Sequence, residues 1–153
     1  RNNEGGPGRN NNRRDQKPYP FVKREKFEGS TAELSGFIFT AGTNRTSQIH
    51  NFTRTDERIK ALVGQKYDPY VLQSLEEVRE VMPMQPVATL ETNGTMSKTN
   101  EIIFNREVNK WIDLKYTIER ERKNVYTIYH GQCDEEMKAT LAMDPDYETV
   151  NRT

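Results

Sequence analysis

Cys133 and His130 form the only close cysteine–histidine pair in the chain, with Gly131 and Gln132 between them. Nucleophilic catalysis needs a thiolate, a base and a third group that orients the base. No orienting residue stands near this pair. The plainer reading is a half-buried cysteine packing a helix joint, with a polar histidine at the helix end. His50 and His130 are the only histidines, far apart, and no spaced carboxylate motif completes a metal set around either. Carboxylates cluster as Glu76-Glu77 and Asp134-Glu135-Glu136, on what read as polar helix faces and first turns. No Asp-Thr/Ser-Gly, Gly-x-Gly-x-x-Gly or Gly-Lys-Ser/Thr motif occurs. The expectation is a chain that is not an enzyme: no catalytic residues, metal, cofactor or small-molecule substrate.

The residue types that do point to a partner are basic. Residues 1–26 carry eight Arg/Lys against Glu4, Asp15 and Glu25, a net charge of +5. Arginine and lysine neutralise phosphates and release counterions, giving sequence-tolerant and salt-sensitive binding to nucleic acid. Arg9, Arg13, Arg14, Lys17, Lys23, Arg24 and Lys26 are the expected contacts, and Tyr19 and Phe21 could stack on single-stranded bases. The alternative is a solubilising tail or interdomain linker. Four Asn-x-Ser/Thr sequons, at Asn44, Asn51, Asn93 and Asn151, are ascribed to chance in a chain rich in Asn and Thr.

Composition bounds what can hold such residues in place. The 153 residues suit one domain; 33% are hydrophobic and 30% charged, and the mean hydropathy is −0.98. Leu, Ile, Val and Phe make up about a fifth of the chain, at the edge where disorder sets in. The 23 basic and 23 acidic side chains cancel, however, so the high net charge of disordered chains is missing. A modest core with loose polar parts is expected. No apolar run approaches the ~18–20 residues needed to span a bilayer. A single cysteine excludes an internal disulfide, and no signal peptide is visible. A cytoplasmic protein without membrane contact is expected, and the chain is expected to be a fragment of a longer one.

The first sixteen residues hold Asn10-Asn11-Asn12 and Gly5-Gly6-Pro7-Gly8 and no apolar side chain but Pro7. Residues 1–26 are therefore expected to form a disordered arm. Phe27-Glu28-Gly29-Ser30 reads as a turn. Leu34 and Phe37-Ile38-Phe39 make a short apolar run that periodicity assigns to neither strand nor helix. Ile49, Phe52, Ile59, Leu62 and Val63 recur at helical spacing, with an interruption expected at Thr53–Asp56 and a stop at Gly64. Val71, Leu72, Leu75, Val78 and Val81 predict a second helix ending before Pro83. Residues 83–100 read as a flexible linker.

The strongest pattern runs over 101–130, where Phe104, Val108, Trp111, Leu114, Ile118, Val125 and Ile128 follow a near-3.5-residue repeat with charges opposite. Val108, Trp111 and Ile118 are expected to form the packed face of this helix, which Gly131 should break. Asp134 should cap a short helix carrying Met137 and Leu141. The fold class expected is mainly α.

The tract Val125-Tyr126-Thr127-Ile128-Tyr129-His130-Gly131-Gln132-Cys133-Asp134-Glu135-Glu136-Met137-Lys138-Ala139-Thr140-Leu141 resembles a segment of Gag-like polyproteins of copia-type LTR retrotransposons. In that family a long helix ends in an aromatic residue, Gly-Gln-Cys and a capping polar residue, and a short helix follows. Asp146-Tyr147-Glu148 is similar to the acidic tract that comes next. Lys26-Phe27-Glu28-Gly29 and Leu34-Ser35-Gly36-Phe37-Ile38-Phe39 resemble the opening of the same domain. The resemblance covers roughly residues 24–150 and is specific around Gln132 and Cys133.

It implies a helical, capsid-like domain over 27–153, self-associating and packaging the element's RNA, with Gly131, Gln132 and Cys133 shaping a helix–helix joint. The chain departs from the family pattern by stopping near the start of the family's next helix, and by lacking a Cys-x-x-Cys zinc knuckle. A homo-oligomer that holds single-stranded RNA is therefore expected. The alternative is a monomeric helical adaptor that binds a partner protein through the 101–130 helix.

Overall fold

The computed structural model describes residues 26–42 and 44–145. Four helices make up most of it: α1 (Arg45–Lys66), α2 (Pro69–Glu77), α3 (Lys98–Gly131) and α4 (Glu135–Ala142), preceded by a 3-10 turn at Ala32–Leu34. Among the described residues the only β-type pairing is an isolated parallel bridge between Phe39 and Cys133. The mainly α class is what the sequence pattern predicts.

Asn44 starts α1 by accepting hydrogen bonds from the backbone N–H groups of Thr46 and Ser47 at 3.1 and 3.3 Å. The helix buries Thr55, Ile59, Leu62 and Val63 on one stripe. It runs without a break through Thr53–Asp56, where Thr53 returns its hydroxyl to the Ile49 carbonyl at 3.0 Å. Gly64 does not stop it either. A β-carbon there would lie 3.1 Å from Leu72 Cδ2, so the glycine lets α2 approach closely. The stop is Asp68-Pro69. A residue before proline is pushed out of the helical region, and Asp68 then caps α2 by accepting from Tyr70 N–H at 3.0 Å.

The expected extension of α2 to Val81 is also corrected. The helix ends at Glu77, and its C-cap Val78 lies in the left-handed region at φ 52°. The next residues are held by groups distant in sequence: Arg122 donates to the Val81 carbonyl at 2.8 Å and to Ser74 Oγ at 3.0 Å, and pairs with Glu80 at 2.5 Å. Val81 N–H in turn donates to Ser74 Oγ at 3.1 Å.

The stretch read as a linker over 83–100 is shorter than expected, because α3 begins at Lys98, capped by Ser97. Trp111 Nε1 donates to the Pro83 carbonyl at 3.0 Å, tying the start of that stretch to α3. Asn93-Gly94 forms a closed turn, with Glu91 N–H donating to the Thr95 carbonyl at 2.8 Å.

At 34 residues, α3 is about 50 Å long at 1.5 Å per residue. Its two fully packed positions, Ile118 and Val125, lie one heptad apart in its C-terminal half. There they meet Leu34, Phe39, Ile59, Leu62, Val63, Val71 and Cys133 in one core. Of the three residues expected on the packed face, Ile118 is buried and Val108 and Trp111 are half-buried. α3 stops at Gly131, as the sequence pattern predicts; the glycine is its last residue and Gln132 its C-cap. No helix among the described residues is long and apolar enough to cross a membrane.

Candidate functional site

The residues at the α3–α4 joint close on the segment that precedes α1. Gln132 is 0% exposed, and a buried amide must find partners for its oxygen and its N–H groups. Its Nε2 donates to the carbonyls of Leu34 (2.9 Å) and Phe37 (2.6 Å), and its Oε1 accepts from Thr31 N–H at 3.1 Å. The backbone adds Ser30 N–H to Gly131 O at 3.0 Å, Phe39 N–H to Gln132 O at 2.8 Å, and Asp134 N–H to Phe39 O at 3.0 Å. Residues 26–40 thus form a strap pinned across the joint. Asp134 also caps α4, its carboxylate accepting from Met137 N–H at 2.7 Å.

Cys133 is buried in this joint, its thiol donating to the Tyr129 carbonyl at 3.4 Å. Burial pushes the thiol pKa up, opposed by the Lys138 charge and reinforced by Asp134. A raised pKa makes a poorer thiolate nucleophile. The His130 ring stacks on Tyr126, with centroids 6.2 Å apart, and His50 is exposed on α1. No group of three His, Cys, Asp or Glu among the described residues could hold a metal ion.

Two further clusters sit on the strap's flanks, and neither stood out in the sequence. On one side Phe39, Ile49, Phe52 and Met137 line an apolar cleft of about 310 Å³. Phe39 anchors it, stacked on Tyr129 at 5.8 Å and tilted against Phe52 at 5.3 Å. Ile49 and Phe52 remain 57% and 54% exposed. They belong to the same stripe as Ile59 and Val63, so the periodicity signalled an apolar face without showing that Ile49 and Phe52 stay more than half exposed.

On the other side the guanidinium carbons of Arg54 and Arg58 lie 4.7 and 5.6 Å from the centroid of the Phe37 ring. Arg54 also lines a second cleft of about 360 Å³, together with Lys26 and Phe37. The available signal was an i, i+4 arginine pair on the polar face of α1.

Of the expected arm contacts, Lys26 is the one within the described residues. Arg9, Arg13, Arg14, Lys17, Lys23 and Arg24 lie outside them, as do Tyr19 and Phe21. Compared with family models, curated proteins and solved structures, the chain matches none.

Proposed function

We propose that the chain is a non-enzymatic structural protein, the capsid-type helical part of a Gag-like polyprotein of a copia-type LTR retrotransposon. On this reading it acts in the cytoplasm, associates with copies of itself through uncovered helix faces, and holds the element's RNA with its basic N-terminal arm. One observation carries the reading. The two stretches that resemble the family, 26–39 and 125–141, are separated by most of the chain, yet Gln132 bonds directly to Thr31, Leu34 and Phe37. Their joint occurrence thus corresponds to one structural unit, a strap and its clasp.

The uncovered apolar groups supply the association. Ile49 and Phe52 lie beside the apolar cleft, and Ile102 and Ile103 stand exposed at the start of α3. Burying such side chains between copies contributes about 25 cal/mol per Å² of apolar surface removed from water. The exposed start of α3 also favours the second reading, a monomeric adaptor with a protein partner on that helix.

Light-scattering mass of the nuclease-treated full chain against concentration separates the two. The capsid reading expects mass to rise with concentration, to rise further with single-stranded RNA, and to stay monomeric in an Ile49→Glu/Phe52→Glu variant of unchanged helicity. A monomer at every concentration, indifferent to RNA, removes the capsid reading and leaves the adaptor. Coding sequence for a protease, integrase and reverse transcriptase downstream of this chain would independently support the family.

A further inference from the structure

We propose that the cleft between the strap and α1, lined by Lys26, Phe37 and Arg54, with Arg58 against the same Phe37 ring, binds phosphate groups of single-stranded RNA and extends the arm's track onto the folded domain. The proposal rests on the RNA half of the function proposed above and adds a site that the arm does not contain.

Four observations lead to it. First, Arg54 and Arg58 share one aromatic ring, at 4.7 and 5.6 Å from its centroid. A guanidinium held against an aromatic ring by cation–π attraction keeps its planar fork of N–H donors, which matches a phosphate in a bidentate way. Second, these two cations are not paired with a carboxylate among the described residues. Lys60, Lys66, Arg122 and Lys138 are each in an ion pair with a carboxylate, whereas no carboxylate of the described residues pairs with Arg54 or Arg58. Two like charges held over one ring repel each other, and an anion placed between them relieves that repulsion.

Third, the space is suitable. The cleft of about 360 Å³ falls within the range of about 300–1,000 Å³ typical of ligand sites. One carboxylate, Glu28, also lines it and accepts from Ser35 Oγ at 2.6 Å. Set against Lys26 and Arg54, it leaves the cleft's lining net positive. Fourth, Lys26 lining the cleft is also the last basic residue of the +5 segment 1–26. A polyanion following that segment reaches this cleft by chain connection alone, which favours a polynucleotide over an isolated phosphate.

The test is fluorescence anisotropy of the full chain with a labelled single-stranded RNA, titrated at several salt concentrations. Arg54→Ala/Arg58→Ala should weaken binding at least about tenfold at low salt, the scale of losing charge-assisted hydrogen bonds. It should also lower the log–log salt slope by about 1.4, at about 0.7 per phosphate on a single strand. Helicity should be unchanged, because both side chains are exposed. Arg54→Lys/Arg58→Lys, which keeps the charge and loses the fork, should restore the slope and only part of the affinity. Lys110→Ala/Lys123→Ala, two exposed cations on α3, should bind as the wild type does.

If the arginine variant binds like the wild type while an alanine-substituted arm loses binding, the cleft is overturned and the arm's role stands. An equal loss in the Lys110/Lys123 variant reduces the effect to overall charge and overturns the site. Arg54 and Arg58 Nε–H resonances that shift with inorganic tripolyphosphate but not with RNA reassign the cleft to a free phosphate compound and overturn the RNA assignment. A wild-type chain that retains no RNA overturns both the cleft and the arm's role, while the self-association measured by mass is judged separately.

Discussion

Gly29 and Gln132 meet with no room between them: a β-carbon at Gly29 would lie 2.2 Å from Gln132 Nε2 and 2.6 Å from its Oε1. Gly29 also sits at φ +97°, where side chains are strained. The chain turns at Gly29 because the amide that fastens the strap occupies the space a side chain would need. The strap's path and the buried position of Gln132 are therefore one constraint rather than two.

A comparison of two glycines isolates this contact. Gly29→Ala carries both a backbone penalty and a collision, and should cost about 3 kcal/mol or more in urea unfolding followed by circular dichroism. Gly36 also has positive φ, at +80°, but faces open space. Gly36→Ala should therefore cost only about 1–2 kcal/mol. Equal costs would mean that the Gly29–Gln132 contact does not constrain the fold.

Gln132 itself should tolerate no isosteric replacement. Gln132→Leu fills the space but leaves the Phe37 carbonyl and the Thr31 N–H without their partners, while the Leu34 carbonyl keeps only the Phe37 N–H. At about 1–3 kcal/mol for each buried group left unsatisfied, the loss should reach about 3 kcal/mol. Gln132→Glu adds a pH signature. Its carboxyl would face two carbonyl oxygens in a buried site, which favours the protonated form in the folded state and raises the folded pKa above the unfolded one. The folded variant then binds more protons, so its deficit relative to wild type should shrink as pH falls from 7 towards the ordinary Glu pKa of about 4.3. A deficit independent of pH would place the side chain in solvent rather than in the clasp.

The sequence discloses some of these relationships and hides others for identifiable reasons. α3 is legible because its apolar repeat is long and its opposite face is charged, and α4 because Asp134 is a cap followed by two acidic residues. Gly64 misleads because a glycine ends a helix only where the chain turns left-handed; here it makes room for Leu72, and the real stop is Asp68-Pro69. The early end of α2 depends on Arg122, which belongs to a different helix, so no local pattern contains it. Phe37-Ile38-Phe39 is ambiguous for the same reason: beyond one local bond to Leu34, its hydrogen bonds are made with Gln132, Asp134 and Thr55. Ile49 and Phe52 share their stripe with the core, and only the packing shows that each stays more than half exposed. A site built from a strap and a joint at opposite ends of the domain is visible in the sequence through residue identity, not through period.

Cys133 provides a check on the view that the joint is structural. Its thiol is buried, bonded to the Tyr129 carbonyl and raised in pKa by burial. A thiol reagent at pH 8 should therefore modify the native chain only as fast as the joint opens, and the urea-unfolded chain at once. Fast native modification that slows on His130→Ala would instead indicate an activated thiolate and reopen the case for covalent chemistry.

Tyr129 links the joint to α1 and should give the fold an alkaline limit. Its hydroxyl donates to Asp56 Oδ1 at 2.6 Å, and Asp56 also pairs with Lys60 at 2.7 Å. Burial first, and then the hydrogen bond and negative charge of Asp56, push the phenol far above its ordinary pKa. Tyr129→Phe removes a hydrogen bond to a charged group and should cost about 1.5–3 kcal/mol at pH 7. Because the folded pKa is the higher one, this stabilisation is complete below the unfolded value of about 10 and is lost as pH rises beyond it. Above pH 10 the wild type should lose up to about 1.4 kcal/mol per pH unit that the Phe variant does not lose. Urea midpoints at pH 7, 10 and 11 should therefore converge between the two proteins. A gap that stays constant to pH 11 would mean that the Tyr129–Asp56 bond does not hold the joint against α1.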